Sequence, residues 1–346
     1  MIKPDQKLAI YMEGALDNDY GKMGFGVLRY SPNPVACVID SNYAGQSVRE
    51  AVNEPFDCPV VTTVEEAHEL GAQVMVLGTA PSGGKFPDAW DEPIGKAVRF
   101  GMSLINGLHD DLNLRFGHLL DASNPEQVIW DVRKPQRSYP IATEKAAQLN
   151  NKRVLFVGTD MAAGKMTAAL EIYKWVHDRG HSSAFVATGQ IGITVTGNGI
   201  PLDAIKVDQA CGAVETLVLG EQDKDIIFVE GQGSLLHPGS SATLPLMRGT
   251  CPTHLILCHR ADMSTLRHPT HVKIPPFKDF IKLNEDLTGV CGSLTRAKCV
   301  GIALNTSKLS EEEALEITNR IAEETGLPVT DVIRYGPEKL AHAILA

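Results

Sequence analysis

The chain has 346 residues, a formal net charge of −10, 43% hydrophobic and 21% charged residues. That length fits two domains rather than one core, and the composition is that of an ordinary soluble globular protein. The acidic balance argues against nonspecific nucleic-acid binding, and no apolar run reaches the roughly 20 residues that span a bilayer.

In chain order, the start "MIKPDQKLAIYMEG" lacks the apolar core of a secretory signal, so a cytoplasmic location is expected. Short apolar runs at 7–12, 35–40, 58–61 and 72–78 read as strands, with helix-like stretches such as "AGQSVREAV" and "TVEEAHELG" between them. This alternation predicts a parallel sheet with helices on its faces. "GKMGFG" (21–26) after the first strand and Asp40 at the end of the second form a loose dinucleotide-like pattern without a clean G-x-G-x-x-G. A lid or a dimer surface is the expected use of this domain. Lys85 in "SGGK" (82–85) follows a strand and makes a second anion-friendly loop, and His109 lies in "GLHDDL".

A polar, Pro-containing segment at 130–152 places the domain boundary near residue 150. Beyond it the strand signals strengthen, at 153–158, 182–189, 225–231, 253–259 and 299–305. The helix with the clearest ends spans 310–326, with Ser310 as N-cap, an acidic first turn and Gly326 at its close. Two α/β domains are therefore expected, 1–150 and 151–346. The seven scattered cysteines include no C-x-x-C pair, which favours a reducing compartment and no disulfide framework.

"RVLFVGTDMAAGKMTAALEIYKW" (153–175) reads as a strand, a small-residue turn and an amphipathic helix. Backbone N–H groups at such a turn converge on an anion at the helix N-terminus, and Lys165 adds a positive charge. The cofactor-binding candidates are Gly158, Thr159, Asp160, Ala163, Gly164, Lys165, Met166 and Thr167. The spacing departs from G-x-x-x-x-G-K-[ST] twice, with five residues between Gly158 and Gly164 and Met166 in the hydroxyl's place. Thr167 comes one position later, about 100° further round the helix. In ATP-hydrolysing loops the hydroxyl after the lysine coordinates Mg, so Met166 weakens a Mg-ATP reading and leaves anion binding intact.

The loop resembles the "GTDTxxGKT" loop of dethiobiotin synthetase, which has the same wider glycine spacing. "FVEGQGS" (228–234) is similar to that family's "VEGxGG", and "IALNTS" (302–307) to the strand that ends in an adenine-contacting Asn, here Asn305. The second half thus looks like a P-loop NTPase-like domain of the dethiobiotin synthetase type. Over the whole chain, "ATGQIGITVTGNGIPLDAIKVDQACGAVE", "VEGQGSLLHPG", "APSGGKFPDAW" and "INGLHDDL" resemble a bacterial family first catalogued as a domain of unknown function. That family joins a Rossmann-like N-terminal domain to a P-loop domain, and members are D-glutamate N-acetyltransferases. The resemblance implies acetyl transfer from acetyl-CoA to the amine of D-glutamate, in D-amino-acid catabolism. The alternative is a Mg-ATP-dependent ligase or kinase of the dethiobiotin synthetase type. A homo-oligomer without nucleic-acid or membrane partners is expected.

Catalytic candidates are Glu230 at a strand's carboxyl edge, where α/β sites lie, His237 as a second candidate base, and Asp208 as a residue expected to line the same cleft. Gly189 and Gln190, with Gly192, are expected to shape the substrate pocket. A dicarboxylate substrate needs a cationic partner, and Arg260 and Arg267 join Lys85 as candidates. Cys258, His259, His268 and His271 gather in "CHRADMSTLRHPTH", but their spacing matches no familiar metal motif, so no metal is assigned.

Overall fold

The computed structural model describes residues 2–134 and 138–346, and the chain divides into two compact units. One unit comprises residues 1–136 and 190–204, the other 137–189 and 205–346.

The first unit holds a six-stranded sheet ordered β3-β2-β1-β4-β5-β6. Its strands are β1 (Leu8–Tyr11), β2 (Val35–Ile39), β3 (Val60–Val61), β4 (Val74–Leu77), β5 (Ser103–Asn106) and β6 (Ile129–Asp131). All pair in parallel, the Rossmann order. Helices α1 (Lys22–Tyr30), α2 (Val48–Val52), α3 (Val64–Glu69), α4 (Asp91–Arg99) and α5 (Leu112–Phe116) connect them. β1 and β4 are apolar throughout because both faces are covered. Ser47 with Glu50 and Thr63 with Glu66 form capping boxes that start α2 and α3.

The second unit holds a parallel sheet ordered β12-β11-β10-β7-β9-β8. Its strands are β7 (Lys152–Gly158), β8 (Ser183–Val186), β9 (Ile226–Val229), β10 (His254–Arg260), β11 (Lys298–Asn305) and β12 (Val329–Thr330). The helices, in chain order from the loop after β7, are α6 (Lys165–Asp178), α7 (Gln190–Thr196), α8 (Val207–Gly220), α9 (Thr243–Thr250), α10 (Phe277–Gly289), α11 (Glu311–Thr325) and α12 (Glu338–Leu345). Of these, α7 belongs to the first unit. Ser310 and Glu313 cap α11 reciprocally, and Gly326 ends it at φ +71°. β7 lies between β9 and β10, so the loop after it opens at the middle of the sheet's carboxyl edge.

The loose dinucleotide-like pattern does not become a phosphate loop: "GKMGFG" is the entry to α1. A Cβ on Gly24 would lie 2.3 Å from Met12 Sδ, and one on Gly26 would lie 2.4 Å from Ile191 Cγ2. These glycines permit close packing. Asp40, in the place of a ribose-binding acid, is buried and accepts from the Leu16 and Asn42 N–H groups, each at 3.1 Å.

The division by contacts also differs from a boundary near 150. The polar segment after residue 137 docks on the second unit, where Glu215 of α8 accepts from the Thr143 N–H (2.8 Å) and the Lys145 N–H (2.7 Å). Residues 135–137 of that segment lie outside the described residues. The stretch 190–204 joins the first unit, where α7 packs on α1 and Asp203 pairs with Arg133. Among the described residues all seven cysteines are free thiols, and no helix is long and apolar enough to cross a membrane.

Candidate functional site

The site is built from the loop after β7. Gly164 takes φ +91°, a left-handed turn that glycine adopts without strain, and α6 begins at Lys165. No side chain caps this helix. Its first-turn N–H groups, which no intrahelical carbonyl satisfies, carry the positive end of the helix dipole. Such a helix start can cradle an anion. Lys165 is buried, and its Nζ donates to the carbonyls of Asp160 (2.8 Å) and Met161 (3.0 Å). Burial pushes the ammonium down to about 8. A Cβ on Gly158 would lie 3.0 Å from Nζ, so the glycine leaves room for the ammonium.

Asp160 fixes the loop from inside. Its carboxylate accepts from the Met161 N–H (2.7 Å) and from the Arg267 N–H (2.8 Å), tying the loop to the segment after β10. Thr159 is held by two contacts on β10: its N–H donates to the Cys258 carbonyl (3.1 Å), and its hydroxyl bonds His259 Nδ1 (2.9 Å). Burial pushes the His259 imidazolium down to about 4, so the ring is neutral at ordinary pH. Ala163 is buried, whereas Met166 and Thr167 are half-buried on the first turn of α6. Asn305 ends β11 with its Cβ 3.9 Å from where a Cβ on Gly164 would lie, and its Oδ1 accepts from the Ser307 N–H (3.1 Å).

Glu230, 2% exposed, follows β9. One carboxylate oxygen accepts from the Thr188 N–H (2.9 Å) and the Gly189 N–H (3.0 Å), and Gln232 bonds the carboxylate through its side chain. Burial pushes Glu230 up to about 7, against these hydrogen bonds and the nearby Lys165 charge, which pull it down. A buried carboxyl and a buried ammonium therefore feel each other's charge, with their proton affinities drawn together. Gly189 is required here, since a Cβ would lie 2.3 Å from Gln232 Nε2.

The other expected residues have places of their own. His237 has both ring nitrogens engaged: the Gly239 N–H donates to Nδ1 (3.0 Å), and Nε2–H donates to the His268 carbonyl (2.6 Å). It is a clasp between two loops, which leaves no lone pair for base chemistry. Arg260 closes a fork on Asp262 (3.2 and 2.9 Å), which leaves no fork for a substrate carboxylate. Although burial alone would raise it, that pair holds the Asp262 carboxyl below its usual range. Asp208 is exposed on the first turn of α8, and Arg267 is exposed beside the loop through its backbone bond to Asp160. Lys85, Gln190 and Gly192 belong to the first unit, where Lys85 is exposed next to two left-handed glycines and Gly192 is buried in α7. His109 sits against Gly84 and donates its N–H to the Gly84 carbonyl (2.9 Å).

The gathered Cys258, His259, His268 and His271 separate: Cys258 lies in the core, His259 meets Thr159, and the other two are exposed. Among the described residues no group of three or more His, Cys, Asp or Glu has metal-holding geometry. Sequence reasoning passed over Thr188 and Gln232, which hold Glu230, and the role of His259. It also passed over Asp331 and Arg334 behind Asn305. Asp331 accepts from the Thr306 N–H (2.8 Å) and hydroxyl (2.6 Å), and Arg334 donates to the Thr306 (3.1 Å) and Leu309 (2.9 Å) carbonyls. The polar run after a two-residue strand, "TDVIRYGP", was the available signal.

A family described as "Domain of unknown function (DUF1611_C) P-loop domain" matches residues 140–341, and its companion Rossmann-like domain, DUF1611_N, matches residues 41–135. A D-glutamate N-acetyltransferase of Tritonibacter scottomollicae is 38% identical over 290 residues, covering 82% of this chain and 84% of the relative. One from a Pseudoalteromonas species is 33% identical over 308 residues, covering 88% and 89%. The crystal structure of a DUF1611 family protein from Anabaena variabilis superimposes with a TM-score of 0.94 at 45% identity, over 99% of each chain.

Proposed function

This chain belongs to the DUF1611 family, and on that premise we propose that it is an N-acetyltransferase that acetylates D-glutamate from acetyl-CoA. The activity printed for the two relatives supports the reaction. The observation that carries the donor is the uncapped first turn of α6 with Lys165 buried beside it and Met166 in the position of a metal-binding hydroxyl. These groups suit a diphosphate held without a metal, as in coenzyme A.

In this reading the loop N–H groups and Lys165 hold the donor's diphosphate, and Asn305 borders the base. The donor supplies an acetyl group activated as a thioester. Glu230, with its affinity near neutrality, takes a proton from the substrate ammonium. The freed amine displaces the thiolate, forming the amide and releasing the thiol after proton transfer. Arg267, anchored to the loop through its backbone, is the candidate for a substrate carboxylate.

A thiol-release assay with acetyl-CoA against a panel of D- and L-amino acids tests the proposal. Release of coenzyme A with D-glutamate is expected. Consumption of ATP with any of the acceptors, without thiol release, would replace it with the ligase reading.

A further inference from the structure

The first unit contains a cleft of about 360 Å³ that the proposed reaction does not use. It lies at the carboxyl ends of β1, β2 and β3, between the first turn of α3 and the exposed side of α4. This is the edge of an open α/β sheet at which ligands bind, and the volume is within the range of small-molecule sites.

Tyr11 and Ile39 line the cleft from the sheet, and Glu13, Glu65, Glu92 and Lys96 line it from the surrounding segments. The Tyr11 side chain is only 4% exposed, with its ring edge-on to Trp90 at 5.2 Å between centroids. Its hydroxyl makes no hydrogen bond with any described residue, while its backbone carbonyl is taken by the Thr79 hydroxyl (3.5 Å). The hydroxyl oxygen is not sealed from solvent, so in the cleft it is placed to donate to an acceptor from outside the protein. Burial, with Glu13, Glu92 and Asp40 nearby, raises the phenol's pKa, which keeps it a donor.

The charges choose between ligand classes. Glu13, Glu65 and Glu92 against Lys96 leave the lining two negative charges in excess (three less one). The one ammonium is already shared between Glu65 (2.6 Å) and Glu92 (2.9 Å). A phosphate or carboxylate would meet repulsion here, and the glycines that would cradle a pyrophosphate are filled by Met12 and Ile191.

We propose that this cleft binds a small organic cation that also carries a neutral acceptor, such as an amino alcohol or amino sugar. Its ammonium lies among Glu13, Glu65 and Glu92, and its acceptor oxygen receives the Tyr11 hydroxyl. The cleft belongs to the first unit and the α6 loop to the second, and the proposal stands whatever reaction that loop supports.

Calorimetry on the full chain with glucosamine and ethanolamine, beside glucose and gluconate, tests it directly. Glucosamine is expected to bind at least about tenfold more tightly than glucose or gluconate. Tyr11→Phe and Glu92→Gln are each expected to weaken glucosamine about tenfold or more. Tyr11→Phe should leave the melting temperature without ligand nearly unchanged, because the hydroxyl it deletes has no partner among the described residues and is not sealed from solvent. Preference for gluconate, no binding of either amine up to about 10 mM, or unchanged glucosamine affinity in both variants would overturn the assignment.

Discussion

The Lys165 ammonium donates to the Asp160 carbonyl at 2.8 Å, while the carboxylate of the same aspartate holds the neighbouring segment at Arg267. One residue thus solvates the lysine with its backbone and tethers the loop with its side chain. The ammonium is held in place by the fold, although burial still pushes it down to about 8. Lys165→Ala should weaken coenzyme A by about 10- to 150-fold, since a hydrogen bond to a charged group contributes about 1.5–3 kcal/mol. Calorimetry measures this, with circular dichroism to show the fold retained. Unchanged affinity would make the loop a structural turn.

Glu230 and Lys165 give opposite pH signatures. Glu230 rises from an ordinary 4.5 to about 7 on folding. The folded protein therefore holds this proton more tightly than the unfolded chain, and the contribution is full below 4.5 and lost as pH climbs to about 7. Lys165 falls from 10.5 to about 8, so its contribution is lost below about 8 and returns as pH rises toward 10.5. Glu230→Gln keeps an oxygen for the Thr188 and Gly189 N–H groups but cannot ionise. Urea titrations should show wild type losing stability relative to this variant between pH 5 and 7, by on the order of 3 kcal/mol. Parallel curves would mean that Glu230 does not titrate in that window. In kinetics, Glu230→Gln should lose the rise of kcat/KM that ends near 7.

His237 separates a base from a clasp. Both its nitrogens are satisfied by backbone groups, Gly239 on one side and His268 on the other. Removing a general base costs about 10²–10⁴ in rate. His237→Ala should instead lower kcat less than about tenfold and leave the limb of the pH–rate profile in place. A loss near a thousandfold, with that limb gone, would restore the histidine as the base.

The sequence disclosed the elements whose signals are local. β7, the loop and α6 follow from an apolar run, two glycines and a lysine, and α11 follows from its capping box and Gly326. β5 and β6 escaped because they are short and end in Asn106 and Asp131, buried polar residues that bond each other at 2.7 Å across the sheet. No local pattern announces such a pairing. The same limit governed the site. Glu230 was legible as a carboxylate at a strand end. That Arg260 is closed on Asp262, or that His259 supports Thr159, depends on rotamers and on strands 100 residues apart in the chain. The glycines of "GKMGFG" stay ambiguous in sequence for the converse reason, since a glycine that admits a neighbour's side chain looks the same there as one that admits a phosphate.

Gly231 tests the contact that seats Glu230. A Cβ there would lie 1.6 Å from the Phe156 carbonyl oxygen, backbone of β7 that cannot yield without parting the sheet. Gly231→Ala should destabilise by about 4 kcal/mol or more, or fail to yield folded protein. Gly220, the last residue of α8, has nothing within 4 Å of its would-be Cβ and no positive φ, so Gly220→Ala should be neutral or stabilise by about 0.4–1 kcal/mol. Melting curves decide both, and a Gly231→Ala protein as stable as wild type would contradict the packing.

Magnesium separates the two chemistries at the loop. A transferring phosphate needs its charge neutralised by Mg, held in ATP-hydrolysing loops by the hydroxyl after the lysine. Here that position is Met166, whose thioether is a poor ligand for so hard a cation. A diphosphate that is only held, not broken, needs the N–H groups of the first turn and one ammonium. Acetyl transfer should therefore proceed nearly unchanged in EDTA. Met166→Thr, which restores the hydroxyl, should alter acetyl transfer little while raising Mg-ATP affinity, read by calorimetry with and without the ion. If EDTA abolishes turnover and added Mg restores it, the diphosphate held at Lys165 belongs to a nucleotide triphosphate, and the coenzyme A assignment of the loop falls.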